Sequence, residues 1–181
     1  MLENELIELL DKVISFKCET PNIEFKTAKN ECPEKLYDTL SSFSNTKGGT
    51  IIFGISEKDG YEIIGIDNPQ ELQKKVTEQS LEMEPVVRPL FRVAKYKGRI
   101  ICSAEIPEID PISKPCYYKG KGKVKGSYIR IGDQDLLMTD YEIHNFDSFR
   151  YKIEDELRTK NRIDFTILHN NLIDIYFIFN K

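Results

Sequence analysis

The chain has 181 residues, of which 40% are apolar and 31% charged, with four cysteines and no tryptophan, a composition that suits one domain with a real core. No stretch approaches the roughly 18 uninterrupted apolar residues of a membrane helix. The opening MLENELIELL is acidic and amphipathic, unlike a signal peptide, so a cytoplasmic location without a membrane partner is expected. The net charge of −4 argues against a nucleic-acid binder. That charge is unevenly placed: Val86 to Gly132 carries eleven Lys/Arg against three Asp/Glu, a balance of +8 that leaves −12 on the remainder.

Leu2, Leu6, Leu9, Leu10, Val13 and Ile14 recur at helical spacing and predict an amphipathic helix to about Phe16. The alternation Ile23, Glu24, Phe25, Lys26 predicts a half-buried strand over 22–27. Pro33 suits the first turn of a second helix, with Leu36, Leu40 and Phe43 on one stripe and Gly48-Gly49 as its stop. Thr50 to Ile55 then predicts a central strand, turned at EKDG into a partner over Tyr61 to Ile66.

Asn68-Pro69-Gln70-Glu71 combines an N-cap, a first-turn proline and a third-position acid, so a helix is expected from Pro69 to about Leu81. Phe91 to Tyr96 and Arg99 to Ile106 predict a hairpin across Lys97-Gly98, and Ser127 to Ile131 a further short strand. Thr139 to Glu142 has the form of a capping box, opening a helix towards Arg158. The apolar run from Ile163 to Phe179 is too short to span a bilayer and leaves an added strand, an oligomer contact or a poorly ordered tail open. This order of elements predicts an α+β fold: a single compact domain over 1–158, a mixed sheet flanked by helices, and a C-terminal extension over 159–181.

Cys18, Cys32, Cys102 and Cys116 form no CxxC pair and are expected to be reduced and mostly buried, their repeated 14-residue spacing being read as coincidence rather than as a composite metal site. His144 and His169 have no sequence partner for a catalytic dyad or triad. Asn45, Thr46, Gly48 and Gly49 predict a helix-to-strand turn with at least one glycine at positive φ. The glycines precede a strand rather than open a helix, which rejects a Walker loop. Glu24 and Lys26, two apart in a strand, share one face, either as a structural ion pair or as a metal ligand beside a phosphate-stabilising lysine.

Lys114, Lys119, Lys121, Lys123, Lys125 and Arg130 fall in a stretch, Ser113 to Ile131, that contains no acid and is interleaved with Tyr117, Tyr118 and Tyr128. Lysines on a glycine-punctuated loop follow a phosphate backbone, and tyrosines offer stacking faces to bases; the alternative is a solvated hairpin tip. Tyr128 and Arg130 share a strand face, and Asp133 or Asp135 is the expected structural partner of Arg130.

Taken together, ISFKCETPNIEFKTA, LSSFSNTKGGTIIFGISEKDG and GSYIRIGDQDLLMTDYEI resemble the Schlafen AlbA-like family of DNA-binding domains over about Leu6 to Leu157. The resemblance implies nucleic-acid binding, DNA or RNA, in a bacterial transcriptional regulator; on that reading Lys114, the lysines of 119–125 and Arg130 are expected at the phosphates, Tyr128 at a base, and the Asn45 to Gly49 turn shapes the same groove. Such domains are commonly joined to others, so the chain is expected to be a fragment or truncated product. The resemblance also implies an alternative, a Schlafen-type metal-dependent endoribonuclease in which Glu19, Glu24 and Glu57 hold Mg²⁺ or Mn²⁺ beside Lys26, converging at the ends of two central strands. Glu57 stands where aspartate is usual and is one methylene longer. A third possibility is a homodimerisation module with a merely solvated basic loop.

Overall fold

The computed structural model describes residues 3–16, 21–57 and 59–179, the last twenty as backbone. Helix α1 (Glu3–Phe16) leads into strand β1 (Ile23–Lys26), helix α2 (Tyr37–Asn45) and strand β2 (Gly49–Phe53). Two short strands, β3 (Ile55–Ser56) and β4 (Glu62–Ile63), precede helix α3 (Pro69–Leu81) and strand β5 (Met83–Glu84). The long hairpin of β6 (Leu90–Tyr96) and β7 (Arg99–Ile106) follows. Strand β8 (Tyr117–Tyr118), a 3-10 turn at Lys119–Lys121, helix α4 (Gly122–Gly126), strands β9 (Tyr128–Ile131) and β10 (Gln134–Leu137), and helix α5 (Asp140–Phe179) complete the chain.

The main sheet has the order β1-β2-β7-β6, with β1 parallel to β2 and the other neighbours antiparallel. Its faces separate by the two-residue period of a strand. Ile51, Phe53, Cys102, Ala104 and Ile106 pack with Leu36, Leu40 and Phe43 of the α2 region and Leu72 and Val76 of α3. Ile23, Phe25, Ile52 and Ile101 pack with Leu6, Leu10 and Val13 of α1. The result is the expected α+β architecture, a mixed sheet between helices. No helix of the described residues is long and apolar enough to cross a membrane.

Local chemistry accounts for several elements as read from the sequence. The Asn68 side chain accepts the Glu71 N–H at 3.1 Å, capping α3. Thr139 and Glu142 close a reciprocal box: the Thr139 N–H donates to Glu142 Oε2 at 2.8 Å, and the Glu142 N–H donates to Thr139 Oγ1 at 3.3 Å. The β6–β7 turn holds both Lys97 and Gly98 at positive φ, the geometry that follows the twist of the strands.

Several expectations are corrected. Helix α2 begins at Tyr37 rather than at Pro33, because Gln79 of α3 takes the place of a local cap: its Oε1 accepts the Leu36 N–H and its Nε2 donates to Pro33 O, both at 2.8 Å. The strand 50–55 is broken at Gly54, whose φ of +99° and close approach to Gly65 end β2. Its partner shrinks to β4, since the Ile64 and Gly65 N–H groups both turn back to Gly54 O. Strand β1 is an edge, not a central strand. The run 163–179 continues α5 as helix rather than adding a strand.

Replacing Gln79 with alanine should lower stability by about 1–2 kcal/mol, because it leaves the Leu36 N–H and Pro33 O without partners in a half-buried setting. A urea midpoint unchanged from wild type would show that water replaces this cap at no cost.

Candidate nucleic-acid interface

Helix α2 carries the polar residues of the LSSFSNTKGG segment, and they face inward: Ser41, Ser42, Ser44 and Asn45 are all buried. Two of them find their reason in the strands beyond the helix. Asn45 Oδ1 accepts the Cys116 N–H at 2.6 Å, while its Nδ2 donates to Cys116 O and to Tyr128 O, both at 2.9 Å. Ser41 Oγ donates to Cys116 O at 2.7 Å and accepts the Tyr128 N–H at 2.8 Å. Two side chains one helical turn apart thus supply hydrogen bonds to the backbone just before β8 and at the start of β9.

The turn that follows is a consequence of crowding. Gly48 has φ +74°, and a Cβ there would lie 2.7 Å from Ile106 O. Gly49 keeps ordinary φ, but a Cβ on it would strike the Phe43 ring at 2.7 Å. Thr46 Oγ1 donates back to Ser42 O at 2.8 Å. The motif therefore makes the turn, and its asparagine braces the adjoining segment.

Arg130 is the centre of a second network. The residue is 9% exposed; its guanidinium lies 5.1 Å from the centre of the Phe43 ring and pairs with Asp135 at 2.8 Å and Glu24 at 2.9 Å. It also donates to Pro21 O, just before β1, at 3.1 Å and to Ile23 O, at its start, at 3.3 Å. Burial works against its charge, and the hydrogen bonds and charges of Asp135 and Glu24 more than offset this, so its pKa is raised. Asp135 further accepts Ser42 Oγ at 2.5 Å and Thr39 Oγ1 at 2.7 Å, and Glu24 accepts Lys26 Nζ at 2.6 Å.

The remaining cations lie nearer the surface. Lys119 faces Glu84 at 3.8 Å, Lys121 faces Asp38 at 3.2 Å and the Tyr128 hydroxyl at 3.2 Å, and Lys123 faces Asp147 at 3.0 Å. Lys125 is exposed, with no partner among the described residues. Of the tyrosines, Tyr118 stacks on Tyr37 at 3.7 Å between centroids, and the Tyr128 ring carries Lys121 Nζ at 5.3 Å. The three described cysteines are free; burial pushes the thiol pKa of Cys32 up to about 11 and those of Cys102 and Cys116 up to about 12. Cys18 lies outside the described residues.

The sequence model of the family described as Schlafen, AlbA_2 matches residues 19–139. The chain belongs to the Schlafen AlbA_2 family. Its fold is shared with the solution structure of the N-terminal domain of a protein from Nitrosomonas europaea described as a putative ATP-dependent DNA helicase RecG-related protein. That domain is 25% identical, with a TM-score of 0.54, the match covering 74% of this chain and 92% of that domain. The DIP2311 protein of Corynebacterium diphtheriae has the same fold at 16% identity and a TM-score of 0.53; the match covers 81% of this chain but only 34% of that one. No curated protein sequence matches the chain.

Within this AlbA_2 domain, two residues expected at phosphates are corrected to structural roles. Lys114 is 6% exposed and spent on Glu108 at 2.7 Å and Thr46 O at 3.2 Å. Arg130 is committed as above, and Asp135 is the partner that sequence proximity suggested. The expected glycine-punctuated loop is a 3-10 turn and a short helix. Strand β10 and the Thr39, Ser42 and Asn45 networks were not legible in the sequence, since Ser and Asn in a helix give no signal of a distant partner.

The carboxylate set implied for a divalent metal does not fit the described residues. Glu19 lies outside them. Both oxygens of Glu24 are engaged, by Lys26 and by Arg130, while Glu57 is exposed on the turn after β3. No group of three His, Cys, Asp or Glu among the described residues converges as metal ligands.

Arg130→Ala should destabilise the domain by about 3–5 kcal/mol, because Asp135 would remain half-buried without a counter-charge, Glu24 would keep only Lys26, and the carbonyls of Pro21 and Ile23 would lose their donor. Thermal unfolding would register this as a large drop in Tm; a shift of only a degree or two would show that the triad adds nothing to the fold. Gly48→Val should cost about 1–3 kcal/mol through positive φ and the clash with Ile106 O. A crystal structure of that variant with an unmoved 46–50 backbone and native stability would refute the assignment.

Proposed function

We propose that this AlbA_2 domain binds nucleic acid, DNA in the first place, as the recognition module of a bacterial regulator, through the surface formed by Lys119, Lys121, Lys123 and Lys125. The observation that carries the reading is the state of these four side chains. They sit within seven residues on one 3-10 turn and helix; Lys119 and Lys121 meet exposed carboxylates together with Leu81 O and the Tyr128 hydroxyl, Lys123 meets the half-buried Asp147, and Lys125 has no partner among the described residues. The exposed pairs of Lys119 and Lys121 are each worth roughly 0–1 kcal/mol, so a phosphate exchanges for a carboxylate there at small cost. Tyr128, whose hydroxyl holds Lys121, fixes one of the four relative to β9. The helicase-related description of the N. europaea protein adds support from outside the chain.

The metal-dependent nuclease reading has no observation of its own in favour. Glu24 is bound up with Arg130 in holding β1, a role that a metal ligand would have to give up.

The quadruple change of these lysines to alanine should weaken binding to a fluorescein-labelled DNA duplex. It should also flatten the plot of log affinity against log salt by up to about 0.9 for each phosphate that is no longer neutralised. Anisotropy titrations at several salt concentrations give both quantities. Equal affinity and equal slope for variant and wild type would remove this segment from the interface.

A further inference from the structure

A cleft of about 370 Å³ opens at the helix-to-strand turn, on the other end of α2 from Asp38 and its lysine. Gly48, Gly49 and Thr50 line it, with Lys47 and Arg88 as its cations. Both cations are exposed, and neither has a partner among the described residues, in contrast to the paired lysines of 119–123. Of the acids in the lining, Glu108 is neutralised by Lys114 at 2.7 Å, and Glu105 has an interaction of its own.

A smaller cleft of about 170 Å³ adjoins it, with Leu90 and Glu105 bordering both. Leu90 is 68% exposed, an apolar side chain held open to solvent at the start of edge strand β6. Ser103 lines the smaller cleft; it is 1% exposed and its Oγ has no hydrogen-bond partner among the described residues. A buried hydroxyl without a partner is unfavourable, and a ligand group donating to it or accepting from it would recover that loss.

We infer that the two clefts form one site for a phosphate-bearing ligand of nucleotide size, with the phosphate between Lys47 and Arg88, the apolar part against Leu90 and a polar group at Ser103. The combined space falls in the range of small-molecule pockets, and an arginine with a lysine is the pairing that neutralises a phosphate dianion. The same chemistry is offered by a free mononucleotide and by the phosphorylated end of a nucleic-acid strand. The site lies apart from the 119–125 segment and does not rest on it.

Calorimetric titration of the full chain with inorganic phosphate, adenosine monophosphate, and a short single-stranded DNA with and without a 5′-phosphate tests the site. Binding of adenosine monophosphate or of the 5′-phosphorylated strand in preference to the unphosphorylated one supports it, and which of the two binds identifies the source. The double variant Lys47→Ala, Arg88→Ala should weaken that binding about tenfold or more. The charge-preserving pair Lys47→Arg, Arg88→Lys should retain it. Ser103→Ala should cost about fivefold with adenosine monophosphate and nothing with inorganic phosphate. The quadruple lysine variant of 119–125 should bind adenosine monophosphate as wild type does, which separates this site from the duplex-binding surface. Failure of every phosphate-bearing probe to bind at millimolar concentration, or binding that survives the double alanine variant, overturns the inference.

Discussion

The buried guanidinium of Arg130 is the contact on which the arrangement of this domain turns. Strand β1 is the outer strand of the main sheet, and the outward carbonyls of Ile23 at its start and of Pro21 before it have no strand to accept from. Arg130 supplies those donors from β9, and its remaining charge is met by Glu24 on β1 and Asp135 on β10. The same Asp135 is held by Thr39 and Ser42 of α2. One side chain thereby fastens an edge strand, a hairpin and a helix. A buried cation of this kind is tolerable only when its donors are used and its charge is matched twice over.

Beside this triad, Asn45 and Ser41 bind the backbone next to β8 and at the start of β9 without charge. The consequence is that the basic segment between those two strands is anchored at both ends: at Cys116 and Tyr128 by α2, and on its outer side by α5, where Asp147 meets Lys123 and Arg150 donates to Lys114 O at 2.9 Å. Lysines 119–125 are thus presented from a fixed base.

Electrostatics divides the cations by depth. Those that run into the interior, Arg130 and Lys114, are consumed by the fold, whereas the surface lysines trade with carboxylates weakly enough to exchange partners. Lys47 and Arg88 form a third group, exposed and without partners among the described residues, around a cleft in which Glu108 is already neutralised by Lys114. A net negative chain thus gathers cations at two places near opposite ends of α2, each made of a few side chains rather than of an overall excess.

The sequence alone determined what depends on near neighbours. Asn68 and Glu71 cap α3, Thr139 and Glu142 open α5, Lys97-Gly98 turns the long hairpin and Gly48 ends α2, all within four residues of chain, where spacing and backbone preference act directly. The family was legible for the same reason, because its motif is a set of such local pieces. Tertiary structure decided the rest. Arg130 reads as a phosphate contact from its strand alternation, yet its partners Glu24 and Pro21 lie more than a hundred residues away, and burial converts it to a brace. Asn45 meets Cys116 and Tyr128 across similarly long stretches of sequence. The start of α2 waited on Gln79, and the edge position of β1 on which strands claimed the centre. Whether a charged side chain binds a ligand or holds the fold is set by which opposite charge is nearest once the chain has folded, and that proximity has no local signature.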